Sequence, residues 1–408
     1  MRFLRLMVCV PVIVLASGTL KEIESRAVEL KSKGDAAGAL AAYEEAAAMD
    51  PKSALYQDEI GFLLAVLNRH PEAIEHFRHA IELDDRFAPA HYHLGVAYWL
   101  AQEAAKSIPE LRTAADLDPE NASYQLRLSE ALDSTDREHE ALAHWKAATA
   151  LQPQNAAGWN GLGGALQKTG DYLGALDAYQ HAADLDPGNL DAANNLGLML
   201  VKVRRPVEGI AQFEKILARD PGNNTARLNI GFAHLQRREL DRAIATFRDV
   251  IAREPNSAAA HYNLGVALKD KDDIDGAKAE FVQALTANPK LAEAHYMLGI
   301  AHWQSGEFEP AAGEMRSAIA IRPDYSEAYF MLGTVLKQKG QAAPAEEALR
   351  TAIRLDPTNP GPYNTLGLLL RQKGDIEGSK QMFAEGTRVK QSKEAELGIM
   401  LQRQYGPQ

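Results

Sequence analysis

The sequence predicts an all-α solenoid of about eleven tandem 34-residue helix-turn-helix repeats, and three periodic observations carry that prediction. Nine prolines, Pro51, Pro119, Pro153, Pro187, Pro221, Pro255, Pro289, Pro323 and Pro357, fall on one 34-residue grid that only Asp85 interrupts. A pattern of side-chain size recurs on the same grid. Glycines and further prolines punctuate it at fixed places. A repeat of this length is two helices and a turn, which cannot bury its own apolar face, so neighbours must stack.

On this grid the repeats start at Leu20, Ala54, Ala88, Ala122, Ala156, Leu190, Asn224, Ala258, Ala292, Ser326 and Pro360, each of which is position 1. Position 7 is aliphatic in ten repeats, Arg26 being the exception, and position 24 is bulky throughout, as in Tyr43, Phe77, Trp145, Phe247 and Phe383. Position 8 is Gly in nine repeats and Ala27 or Ser129 in the other two, while position 20 is never larger than Ser. A mid-helix Gly costs roughly 0.5–1 kcal/mol against Ala, so nine at one position require an offsetting gain. Close helix contact supplies it: small residues at 8 and 20 let two helices approach, and the side chain at 24 fills the space beside them.

The first helix is expected to end at position 15, where Gly34, Gly170, Gly306, Gly340 and Gly374 suit a left-handed backbone. The second opens with Pro71, Pro206, Pro310 or Pro344 in its first turn, where a missing amide is harmless. Three irregularities stand out. Pro109 lies at position 22, past the harmless turn, and Ser129 replaces Gly, so a kink or weak point is expected between Pro109 and Asp136. Ile216 and Val250 replace the small residue at position 27, with Gly209 expected to make room for Ile216.

The Leu-Gly pair at positions 7 and 8, the small residues at 20 and 27, the aromatic at 24 and the Pro at 32 resemble the tetratricopeptide repeat over residues 20–393. The resemblance implies a right-handed superhelix with first helices on the concave side and second helices on the convex side. Residues 394–408 are expected as a capping helix and tail, with Leu397, Met400 and Leu401 on one face. One solenoid is expected, since an unbroken period overrides the multidomain prior set by length. The net charge of −11 argues against nucleic acid and anionic membrane surfaces as partners. Lys202 to Arg205 form only a short basic island.

At the amino terminus, Arg2 and Arg5 precede an apolar run from Leu6 to Ala16, followed by Ser17, Gly18 and the charged Lys21 and Glu22. This reads as a secretory signal over residues 1–18 and a periplasmic or secreted mature chain. The run is shorter than the roughly 18–20 residues of a spanning helix. The alternatives are a cytoplasmic protein or one tethered to a membrane by residues 6–16. Cleavage would remove Cys9, the only cysteine.

No catalytic constellation emerges. His139 and His144 sit five apart, about 140° around a helix, and cannot share a metal as residues four apart can. His76, His79, His91 and His93 are not expected to converge. Gly158, Gly161, Gly163 and Gly164 lack a preceding strand and read as packing glycines. No enzyme, cofactor or metal is expected.

Function is therefore expected on the concave lining, at positions 2, 5, 6, 9, 12 and 13. Position 6 carries Asn195, Asn229 and Asn263 in three successive repeats. An amide side chain donates to and accepts from one peptide group, so it reads backbone without regard to sequence. The lining resembles the repeat arm of the protein O-linked N-acetylglucosamine transferases, which implies that these asparagines hold extended polypeptide, although no transferase domain follows. Tyr262, Tyr296 and Phe330 at position 5 and Trp303 at position 12 flank the ladder, and Tyr92 and Trp99 form a second aromatic pair. The Lys and Asn set with which other members of the family clamp carboxylates does not occur in three consecutive repeats. The expected function is a non-catalytic scaffold binding an extended peptide or helix of another protein; the alternative is an accessory subunit presenting substrates to a separate enzyme such as a glycosyltransferase.

The amino-terminal reading predicts a mature chain that begins near Thr19. Intact-mass measurement of native protein tests this, and a soluble cytosolic species retaining Met1 to Gly18 would contradict it.

Overall fold

The computed structural model describes the backbone of residues 18–405 and the side chains of 18–395; most of the amino-terminal signal reading lies outside the described residues. Helices α1 (Leu20–Ser32) and α2 (Ala36–Met49) form the first pair, and the pairing continues to α21 (Pro360–Gln372) and α22 (Ile376–Tyr405). Among the described residues there are 22 helices and no strand. The chain divides into two halves, Met1–Ala192 and Ala193–Gln408, although the 34-residue period runs through the division unchanged. A separate capping helix is not formed: α22 continues unbroken to Tyr405, and the side chains of Leu397, Met400 and Leu401 lie outside the described set.

The size pattern is explained by one contact. At each of the nine position-8 glycines an added Cβ would come within 2.5 to 3.0 Å of the position-24 side chain of the same repeat. Phe77 lies over Gly61, Tyr179 over Gly163, Phe247 over Gly231 and Leu349 over Gly333. The bulky side chain is thus laid on the bare helix backbone opposite it, and Phe77, Phe213, Phe247 and Phe281 are almost wholly buried. Position 20 completes the joint by bringing its own backbone close, as the Ala73 and Ala345 carbonyls do at Gly61 and Gly333. Where it is Ser107, the hydroxyl donates to the Gly95 carbonyl at 2.8 Å.

Repeat four departs from this rule. Ser129 is fully buried at position 8, and the bulky Trp145 of α8 (Glu138–Leu151) turns to the following helix, α9 (Ala156–Lys168). A Cβ at Gly161 would lie 2.1 Å from the Trp145 ring, so Gly161 takes over the role Ser129 has given up. Gly209 also has a role other than the one expected. Its added Cβ would strike Val201 at 2.7 Å and the Gly197 carbonyl at 2.8 Å, so it accommodates the first helix rather than Ile216. Helix α6 (Ala104–Leu117) runs without a break through Pro109, and so does not end at the proline.

The turn between the two helices is uniform. Position 15 is left-handed in all eleven repeats, at the five expected glycines and also at Asn68, Gln102, Asp136, Arg204, Arg238 and Asp272. In seven of the eleven repeats the second helix then starts in one of two ways, Glu103, Glu239, Glu307 and Gln341 following neither. Asp35, Asp171, Asp273 and Asp375 accept the amide of a glycine three residues on, whereas Arg69, Arg137 and Arg205 pair with the glutamate at that place.

Adjacent glycines in α9 provide a test. Gly163→Ala should destabilise the fold by roughly 1–3 kcal/mol through the clash with Tyr179. Gly164→Ala, whose added Cβ meets only the Tyr179 hydroxyl at 3.8 Å, should stabilise it by roughly 0.5–1 kcal/mol. Thermal unfolding of the two variants distinguishes them, and equal shifts of one sign would contradict the packing account.

Candidate functional site

The first helices carry the predicted lining residues on a common face, since positions 2, 5, 6, 9, 12 and 13 recur at helical spacing. In the carboxy-terminal half, α11 (Leu190–Lys202) carries Asn195, α13 (Asn224–Gln236) carries Asn229, and α15 (Ala258–Asp270) carries Tyr262 and Asn263. Tyr296 and Trp303 lie on α17 (Ala292–Gln304) and Phe330 on α19 (Ser326–Gln338). All seven are half-buried.

The three asparagines are not equivalent rungs. Asn229 donates through Nδ2 to Oδ1 of Asn194, 2.7 Å away on the preceding first helix. Asn263 instead donates at 2.9 Å to the Ala259 carbonyl one turn back on its own helix. The Asp58–His93 contact of 2.8 Å repeats the position-5 to position-6 arrangement in the amino-terminal half. Adjacent first helices are thus linked by side chains through the same positions that face outward.

The aromatic residues divide between packing and exposure. Tyr262 stands 6.0 Å from the Phe281 ring, and burial, aided by the Glu293 charge, raises its hydroxyl above the usual phenol range. Tyr296 is raised by burial and by the Glu327 charge, and its ring lies 5.1 Å from that of Tyr325. Arg322 caps Tyr325 at 4.5 Å and pairs with Glu293. Trp303 donates from Nε1 to Gln338 Oε1 at 2.6 Å, and Phe330 lies against Gly361. Sequence reasoning missed Glu293, Glu327 and Tyr325; the available signal was an aromatic at position 34, where seven other repeats have Asn or Ser.

In the amino-terminal half Tyr92 packs on Tyr124 with ring centres 4.7 Å apart. Trp99 is half-buried beside Leu100, which is 70% exposed and, with Val66, adds an apolar character that the sequence reading did not assign.

Three histidines serve the joints between repeats. His91, His261 and His295 share position 4, and each Nδ1 lies 2.6 Å from a carboxylate at position 23: Glu110, Glu280 and Glu314. Each Nε2 faces the carbonyl that closes the preceding repeat, at Asp85 (3.0 Å), Pro255 (3.0 Å) and Pro289 (3.2 Å). Gln125, Trp159 and Tyr363 donate from the same position to Pro119, Pro153 and Pro357, and Arg227 does so to Pro221. Six of the grid prolines thus offer a carbonyl that position 4 secures. His76 and His144 contact Gln57 and Gln125 and are pushed down by burial. Among the described residues no group of three His, Cys, Asp or Glu is placed to hold a metal, and no helix is long and apolar enough to cross a membrane.

Stacked helix pairs on a 34-residue grid, nine of them closed by a glycine-on-bulky-residue contact, define a helical-repeat protein. Models of the tetratricopeptide repeat match residues 61–102, 88–121, 126–189, 165–224, 200–265, 262–326 and 298–360, and the chain belongs to that superfamily. No curated protein matches it. It is similar in structure to a tetratricopeptide repeat protein from Parabacteroides merdae, at TM-score 0.56 and 16% identity over 61% of this chain and 98% of that one. Yeast Tom70 aligns over 94% of this chain and 96% of its own, at TM-score 0.50 and 14% identity. These two likenesses concern the fold alone. MamA is 26% identical over 41% of this chain and 97% of its own, with a TM-score of 0.39 that carries no structural argument.

His91 yields a pH prediction. The Glu110 hydrogen bond raises its imidazole above the ordinary range, against the opposing effect of burial. Its contribution to stability is therefore complete below about pH 6.5 and is lost as pH rises through the folded-state value. His91→Gln keeps a donor at position 4, as Gln125 does, and should remove this part of the pH dependence. NMR titration of His91 and unfolding across pH 5–8 check it (roughly the imidazole window); a folded-state value below that of the unfolded chain would reverse the sign.

Proposed function

We propose that this interaction scaffold is non-catalytic and holds an extended segment or a helix of another protein along its first-helix face. The observation that carries the reading is the half-buried row of Asn195, Asn229 and Asn263, continued by Tyr262, Tyr296, Phe330 and Trp303 on successive first helices. A side-chain amide has two N–H groups and an oxygen with two lone pairs. The single internal bonds of Asn229 and Asn263 therefore leave capacity for a partner's peptide group. Stacked helices lie roughly 8–10 Å apart and an extended chain advances about 3.3 Å per residue, so one amide meets every third residue. The amides supply affinity independent of sequence, and the aromatic rings supply selection.

Replacing Asn195, Asn229 and Asn263 together by Ala should weaken partner binding by at least about tenfold, from roughly 0.5–1.5 kcal/mol for each lost bond. The same change should lower stability slightly, because Asn229 also bonds Asn194. Tyr296→Ala with Trp303→Ala should instead change which partners are retained. Titration calorimetry with a partner segment identified by capture from the native host, beside thermal unfolding of each variant, provides the measurement. Unchanged affinity in a well-folded triple variant would remove the asparagines from the binding site.

A further inference from the structure

Position 14, just past the end of the first helix, ties neighbouring repeats together through charge. Four repeats that follow another carry a cation there: Arg237, Lys271, Lys339 and Lys373. Lys271 pairs with Asp241 and Lys339 with Glu309, each at position 18 of the preceding repeat, and Lys373 reaches Glu346 at position 21 over 2.6 Å. Arg237 breaks the rule. Positions 18 and 21 before it are Val207 and Ile210, and it pairs with Glu239 of its own repeat at 2.8 Å.

Glu239 is shared further. His234 Nδ1 lies 2.7 Å from it and Arg242 3.4 Å, so one carboxylate serves two guanidinium groups and an imidazole. These three basic side chains line an open groove with Val207, Ile210, Ala211 and Glu214 of α12 (Pro206–Arg219), Arg242 standing on α14 (Leu240–Arg253). Val207 is 60% exposed there. The groove one repeat further on is lined by Asp241, Ile244 and Lys271 at the places of Val207, Ile210 and Arg237, and in it the acid and the cation satisfy each other. The first groove is thus the second with its carboxylate replaced by a bare apolar surface.

We propose that this groove docks an acidic residue of a partner protein together with an apolar neighbour. The site is built from positions 11, 14, 18, 19, 21, 22 and 25, none of which belongs to the first-helix face that carries the asparagines. The partner's carboxylate stands where Asp241 and Glu309 stand in their own repeats and accepts from Arg237 and Arg242, whose forked donors match it. The apolar side chain beside it covers Val207 and Ile210. Repeats six and seven, residues 190–257, carry 11 Lys and Arg against 8 Asp and Glu, whereas in repeats one to five, residues 20–189, 14 stand against 28. An acidic segment is accordingly drawn to this stretch of the chain. Glu214, about two helical turns along α12 from Val207, repels a continuous polyanion and so selects a single acid on a polypeptide over nucleic acid.

The test uses the full chain and three capped nonapeptides of Gly and Ser with a central Glu-Leu, Gln-Leu or Lys-Leu, titrated into isotope-labelled protein and followed by NMR at the Arg237 Nε–H. The Glu peptide should shift that resonance and bind about fivefold or more tightly than the Gln peptide, with the Lys peptide weakest. Val207→Asp should erase the preference by giving repeat six the acid that repeat seven has in Asp241, and thermal unfolding should show the fold retained, since the position is exposed. Arg237→Gln should erase it by removing the cation. An acid preference that survives either substitution overturns the proposal, as does equal binding of the three peptides or binding of none. Tighter binding of a single-stranded oligonucleotide than of the Glu peptide, lost in Arg237→Gln, overturns it in favour of a nucleic-acid partner.

Discussion

The contact between a bare stretch of helix backbone and one large side chain is the constraint on which this structure depends. Dispersion falls off steeply with distance, so a ring resting on a glycine gains attraction that a methyl group in between would forfeit. The helix pays in propensity for each such glycine, and the repeat recovers it in packing. With the two helices held this close, the turn joining them has little freedom, and position 15 becomes left-handed whether or not glycine occupies it. Outward-facing residues inherit the same regularity. Because each first helix is set against its own partner in the same way, equivalent side chains recur at equivalent places within each half.

The fold was legible because its signals are periodic, and a period is readable without knowledge of any contact. The prolines at position 32, the glycines at 8 and the bulky residues at 24 each announce themselves by recurrence. Departures were harder to interpret. Ser129 is visible as an exception, but its resolution through Trp145 and Gly161 depends on the path of an indole across to the next helix. Gly209 was read against Ile216 because both break the size rule, whereas its neighbours are Val201 and the Gly197 backbone. The left-handed Arg204 and Arg238 gave no compositional signal, since arginine shows no preference for that conformation.

The candidate site was legible as a row of residues and not as a set of bonds. Sequence places Asn229 and Asn263 at the same position, yet one reaches back to a neighbouring helix and the other to its own backbone. Which of these occurs depends on the residue at position 5 of the preceding repeat, Asn194 for Asn229 and Leu228 for Asn263. The histidines show the same limit from another direction. His91, His261 and His295 are distributed among three distinct joints, each secured to a loop carbonyl and to a carboxylate of its own repeat, and their shared position did not disclose those partners.

The lodging of Trp145 against Gly161 has an evolutionary meaning. Most repeats here are nearly interchangeable, because each satisfies its own position 8 with its own position 24. Repeats four and five are not, since the large residue of one is accommodated by the missing side chain of the other. Position 6 carries a side chain in every other repeat, among them Glu59, His93 and Met297. A duplication or exchange that brought any of them behind Trp145 would set a side chain into the space the indole fills. Exchange of either of these two repeats alone would therefore carry a packing cost that exchange of a repeat closed on its own glycine avoids.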